Sequence, residues 1–144
     1  MKTLIELFDK DAIYNYLAAT VFKPQKVCFI GDKLSLDADA RAAAKKYASL
    51  TGLECEFEFI AANTNDYCDM RRVISETIAK ETAAGNVCTV DVTGGSDLAL
   101  VAAGSLIEKC EDIVRYDKEN GCFRMLSCGK TEDVNLGIPC EAFI

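Results

Sequence analysis

Four times along this chain an apolar, strand-like run gives way to a stretch with helical spacing, and that alternation limits the fold most. Thr3 to Phe8 reads as a first strand, and a helix capped by Asp11 follows to about Val21, with Ile13 and Leu17 on one face and Pro24 at its end. Lys26 to Ile30 is a second strand. After it Leu36, Ala40, Ala43, Tyr47 and Leu50 step by four, three, four and three residues, the spacing of an amphipathic helix closed by Gly52. Glu54 to Ile60 alternates Glu54, Glu56 and Glu58 with Cys55, Phe57 and Phe59, as an edge strand with one solvated face would. Tyr67, Met70, Ile74 and Ile78 mark the third helix, closed by Gly85, and Asn86 to Val92 the fourth strand. The last helix, Leu98 to Ile107, is apolar almost all round, so it needs cover on more than one side, which a second copy of the chain would supply.

Repeated strand–helix units imply an α/β fold, a Rossmann-like parallel sheet with helices on both faces. The rhythm changes after Lys109: Ile113 to Tyr116, a turn over residues 117–121 and Cys122 to Ser127 read as a C-terminal β-hairpin. The expected organisation is one domain over residues 1–130. Residues 131–144, with little periodicity and with Gly137 and Pro139, read as a C-terminal extension or a linker to a further domain.

In such a sheet all the strand-to-helix loops share one edge, and ligands bind there. The loops are Asp9-Lys10-Asp11, Gly31-Asp32-Lys33, Ala62-Asn63-Thr64 and Thr93-Gly94-Gly95-Ser96-Asp97. The last is the strongest. Two glycines between a strand and a helix let the backbone turn sharply and approach a ligand. The helix start aims N–H groups and the positive end of its dipole at an anion. Thr93 and Ser96 add hydroxyls. A tight turn with Ser96 as N-cap is the simpler account of the same residues.

Composition removes several chemistries. The chain of 144 residues has no histidine, which excludes histidine-dependent triads. Its net charge of −7 is unsuited to binding a nucleic-acid duplex through its backbone. Its eight cysteines form no Cys-x-x-Cys pair and read as free structural thiols; neither a zinc site nor any other metal or cofactor is expected from their spacing. No run is long enough for a membrane span and the N-terminus has no cleavage pattern, so a cytoplasmic protein is expected. Gly129-Lys130-Thr131 looks like the end of a Walker A loop, but Arg124 stands where that loop needs glycine.

Two family resemblances remain. Leu7-Phe8-Asp9-Lys10-Asp11, a strand ending in Asp-x-Asp, resembles the nucleophile motif of haloacid-dehalogenase phosphotransferases, and Asp91-Val92-Thr93 resembles their phosphate-binding threonine. That would make the protein a Mg²⁺-dependent phosphatase-like enzyme built on Asp9 and Asp11, although the downstream lysine and acidic pair are not found. Thr93-Gly94-Gly95-Ser96 resembles the Thr-Gly-Gly-Thr motif of CARF domains, the CRISPR-associated Rossmann folds. Leu4-Ile5-Glu6-Leu7-Phe8-Asp9 and Val21-Phe22-Lys23-Pro24-Gln25-Lys26-Val27 resemble the N-terminal half of a CARF group that precedes a nuclease domain. This resemblance spans residues 1 to about 130.

The CARF resemblance implies a homodimer holding a cyclic oligoadenylate, such as cyclic tetra-adenylate, between paired Gly-Gly loops, with an effector domain beyond this chain. Thr93, Gly94, Gly95 and Ser96 would meet phosphate or ribose; Asp9, Lys10, Asp11, Gly31 and Asp32 would meet adenosine, with Asn63 and Thr64 in the neighbouring loop. Family members often carry a base where this chain has Asp97. A dimeric scaffold without a ligand is the third reading. Some CARF domains cleave their own ligand, but no acid–base group here points to that.

Overall fold

The computed structural model describes residues 1–134. Its strands are β1 (Lys2–Leu7), β2 (Lys26–Gly31), β3 (Glu56–Ala61), β4 (Val87–Asp91), β5 (Asp112–Asp117), β6 (Cys122–Met125) and β7 (Thr131–Asp133), and its helices are α1 (Leu17–Phe22), α2 (Ala38–Thr51), α3 (Tyr67–Ala83) and α4 (Asp97–Gly104). All seven strands form one sheet in the order β3-β2-β1-β4-β5-β6-β7. The pairs from β3 to β5 are parallel, and β6 and β7 are antiparallel additions. This is the expected Rossmann-like α/β sheet with its terminal hairpin. From β1 the chain first builds outward through β2 and β3, then returns to place β4 on β1's other side. The order therefore reverses between β1 and β4, the position where open α/β sheets form a crevice.

Helices cover both faces. Ile5, Leu7, Cys28, Ile30, Val90, Val92 and Ile113 pack under Met70, Ile74 and Ile78 of α3 and Ala99, Ala102 and Ala103 of α4. On the other face Leu4, Val27, Phe29, Val114 and Phe123 meet Leu17, Ala18 and Ala19 of α1 and Ala44 of α2. Phe29 organises this side: Phe8 and Tyr16 meet it edge-on, Phe57 and Phe59 in stacked geometry, all with centroids within 6.0 Å. The three cysteines that are buried, Cys28, Cys88 and Cys122, are free thiols, as are the other described cysteines. Among the described residues no helix is long and apolar enough to cross a membrane.

Several boundaries differ from the sequence reading, each for a local reason. Asp11 does not cap a helix through its side chain: a 3-10 turn, Ala12–Asn15, comes first and α1 starts at Leu17. The Asp9 carboxylate takes the Asp11 N–H at 2.8 Å, and Asn15 clamps the Asp9 backbone with bonds of 2.7 and 3.0 Å. These bonds hold the segment in a turn. Leu50, expected on the buried face of α2, is 77% exposed because the last helical turn extends past the core. β3 is an edge strand, but its polar face is engaged: Glu58 bridges Lys26 and Lys80, both at 2.9 Å. The sheet also continues into the stretch read as an extension, since Thr131, Glu132 and Asp133 pair with β6. Gly137, Pro139 and the rest of the expected linker lie outside the described residues.

Candidate functional site at the strand-order reversal

The loop after β4 is shaped from beneath. Asp91, the last residue of β4, is fully buried, and its Oδ1 accepts from the Thr93 N–H at 2.9 Å and the Thr93 hydroxyl at 2.5 Å. Thr93 Oγ1 in turn accepts the Tyr116 N–H at 2.9 Å, which ties the loop to β5. Gly94 then passes so close to the loop after β1 that a Cβ there would lie 2.7 Å from Asp9 Cβ and 2.8 Å from the Leu7 carbonyl oxygen. Gly95 adopts φ +86°, the region that favours glycine. Ser96 caps α4, accepting the Ala99 N–H at 3.2 Å, while its hydroxyl donates to Thr64 O at 3.1 Å and so joins the loop after β3. Asp97 is not the cap; it is an exposed acid in the first turn.

Glu6 lies beside Asp91 across the β1–β4 ladder and is also fully buried. Both Glu6 carboxyl oxygens and Asp91 Oδ2 lack any ordinary donor. The donor that fits is a carboxylic proton. Burial, then the Asp91 charge, raises Glu6 well above its ordinary value; burial also raises Asp91, but the Thr93 donors oppose that shift. Glu6 is therefore the protonated partner and donates to Asp91 Oδ2. Only one proton is shared by the two acids, and the ionised one is the carboxylate that holds Thr93.

These constraints leave a cleft of about 390 Å³ at the reversal point, lined by Phe8, Asp9, Lys10, Asp32, Ser35, Thr64, Asn65, Gly95 and Ser96. Of the residues expected from sequence, Asp9, Lys10, Asp32, Thr64, Gly95 and Ser96 meet here. Gly94 forms the wall behind Asp9, and Gly31 packs under Phe8, where a Cβ would lie 2.9 Å from Phe8 Cβ. Asp11 and Asn63 are not in the lining; the Asn63 N–H is taken by Asp69 at 2.7 Å. Thr93 lines a second cleft on the other side of the loop. Phe8, Ser35 and Asn65 were missed: Phe8 reads as strand interior, whereas the Ser35 hydroxyl is bound to Asp32 Oδ2 at 3.2 Å, a turn contact that the Asp-x-x-Ser spacing hints at.

The cleft offers hydroxyls, an amide, one lysine and two carboxylates, suited to the hydroxyl- and amine-rich face of a nucleoside. The one group of three metal-ligating side chains among the described residues, Cys28, Glu58 and Glu81, lies at the opposite end of the sheet strands, and Lys26 sits among its carboxylates at 2.9 and 3.1 Å. Among the described residues that group includes neither Asp9 nor Asp11.

No family model and no curated protein matches the chain. Solved structures do. Can2 from Sulfobacillus thermosulfidooxidans, in complex with cyclic tetra-adenylate, superposes with a TM-score of 0.77 over 94% of this chain at 15% identity. The fold is CARF-like. A type III CRISPR defence DNA nuclease activated by cyclic oligoadenylate gives 0.69 over 92% at 14% identity, and protein VC1899 from Vibrio cholerae 0.75 over 93% at 15%. The chain spans 37%, 20% and 36% of those proteins' lengths, so the CARF-like unit corresponds to one part of each.

Proposed function

We propose that this CARF-like chain is the cytoplasmic sensor unit of a CRISPR-associated effector and binds a cyclic oligoadenylate, cyclic tetra-adenylate being the first candidate. The observation that carries this reading is the meeting of the Thr93–Ser96 loop with the Asp9 loop at the β1–β4 reversal, in a fold shared with a protein solved around that ligand. The glycines bring backbone close to the ligand, Ser96 and Thr64 contact ribose, and Asp9 and Asp32 accept from hydroxyl or amino groups. The chain acts here as a binding module, passing the change to a domain outside it.

A four-fold ring suits a two-fold site in which each chain meets half of it. α4 supplies a surface for such pairing. Ala99, Ala102 and Ala103 are buried, but Leu98, Leu100 and Val101 stand 40, 38 and 58% exposed next to the loop. Val101→Glu is expected to convert a dimer to a monomer in light scattering. In calorimetry the wild type binds one cyclic tetra-adenylate per two chains, and the variant loses at least tenfold in affinity. A monomeric wild type at micromolar concentration, or a stoichiometry of one ring per chain, contradicts the paired site.

A further inference from the structure

The cleft at the reversal point is poorly suited to phosphate. Lys10 is its one cation, against the carboxylates of Asp9 and Asp32, and Asp97 stands exposed at the start of α4. A ligand with several phosphodiesters needs positive charge elsewhere. The loop Thr93–Ser96 has a second side. Behind Thr93, between the loop and the β5–β6 hairpin, lies a cleft of about 550 Å³ lined by Thr93, Arg115, Tyr116, Asp117, Lys118, Glu119, Arg124 and Leu126. In a chain of net charge −7, three cationic side chains here face two carboxylates.

The cations are not equivalent. Arg124 is held by Asp117, with N–O distances of 2.8 and 2.9 Å. Asp117 also accepts from Asn120 at 2.7 Å, and these bonds lower it to about 2, so it stays ionised and keeps Arg124 neutralised. Lys118 Nζ lies 4.6 Å over the Tyr14 ring. Arg115 is exposed and has no ion pair among the described residues. It also stands directly opposite Arg124 in the β5–β6 register. Asp117 already holds Arg124, so the hairpin leaves Arg115 as the arginine without an ion pair. An arginine without an ion pair beside a glycine loop can hold an anion from outside the chain, its planar fork giving two hydrogen bonds.

We propose that Arg115 is the phosphate-binding residue of this protein and that the Thr93–Ser96 loop divides the ligand, with phosphodiester on the hairpin side and nucleoside on the Asp9–Asp32 side. This assignment rests on the sensor reading and adds its charged partner. Thr93, tied to Tyr116 through its hydroxyl, lies between the two clefts and sets their separation.

The test compares cyclic tetra-adenylate binding to the wild type, Arg115→Gln and Lys46→Gln at two salt concentrations. Lys46, on α2, is exposed, lines neither cleft and carries the same charge, so its loss controls for net charge. Arg115→Gln is expected to weaken binding by about tenfold or more and to lower the slope of log affinity against log salt by about one. Lys46→Gln changes affinity less than twofold. Arg115→Gln also melts no lower than the wild type without ligand, because an exposed side chain without an ion pair is lost, yet gains less on ligand addition. Wild-type binding with equal affinities in the two variants overturns the Arg115 assignment alone; no binding to the wild type overturns the sensor reading and the assignment with it. A lowered melting temperature for free Arg115→Gln would show a structural role instead and also overturn it.

Discussion

Replacing Glu6 by Gln is expected to stabilise the protein at pH 7.5 by about 1–3 kcal/mol and to flatten its loss of stability toward alkaline pH. The folded state holds Glu6 protonated, burial being the main cause, whereas in the unfolded chain it ionises near its ordinary value of 4.5. A carboxyl raised on folding stabilises fully below the unfolded value. That contribution is lost as pH rises toward the folded value, at up to about 1.4 kcal/mol per pH unit. A glutamine amide can donate to Asp91 Oδ2 without taking up a proton, so it keeps Thr93 in place and removes one proton's share of the slope. One amide hydrogen left without an acceptor opposes part of the gain. Melting curves from pH 5 to 8.5 check this. Parallel profiles for wild type and variant would mean that Glu6 and Asp91 share no proton.

Gly94→Ala should be strongly destabilising for a single-methyl change. Its Cβ would fall 2.7 Å from Asp9 Cβ and 2.8 Å from the Leu7 carbonyl, and the latter is backbone of the central strand and cannot move aside cheaply. Overpacking of this kind costs roughly 1–3 kcal/mol. It also pushes apart the two loops that form the cleft, so ligand binding falls with stability. Gly104→Ala is the comparison. At the end of α4 nothing lies within 4 Å of its Cβ, and a gain of about 0.4–1 kcal/mol is expected there. Chemical denaturation of both variants decides it; equal effects would show that the Gly94 contact is not a constraint.

Much of this architecture was open to reading from the sequence, because strand–helix alternation and turn glycines are local signals. Thr93-Gly94-Gly95-Ser96 announces a loop at a strand end whatever the sheet order. What stayed hidden depends on pairing across the chain. Glu6 within Leu4-Ile5-Glu6-Leu7 gives no sign that it is wholly buried, since its partner Asp91 is 85 positions away and joins it only through the β1–β4 register. Arg115 and Arg124 likewise become neighbours only once the hairpin register is known. β7 is three residues long, too short for alternation to show. Asp11 followed general capping preference, and the Asn15 clamp on Asp9 overrode it.

A cyclic oligoadenylate seated at the β1–β4 reversal would show itself in backbone amide shifts recorded while cyclic tetra-adenylate is added. Large shifts are expected at Asp9, Lys10, Asp32, Thr64 and Thr93–Ser96, with Arg115 and Tyr116 beside them, and none at Lys2, Gln25 and Val87 on the opposite edge of the sheet. Shifts centred on that opposite edge, or no shifts at all, would contradict it.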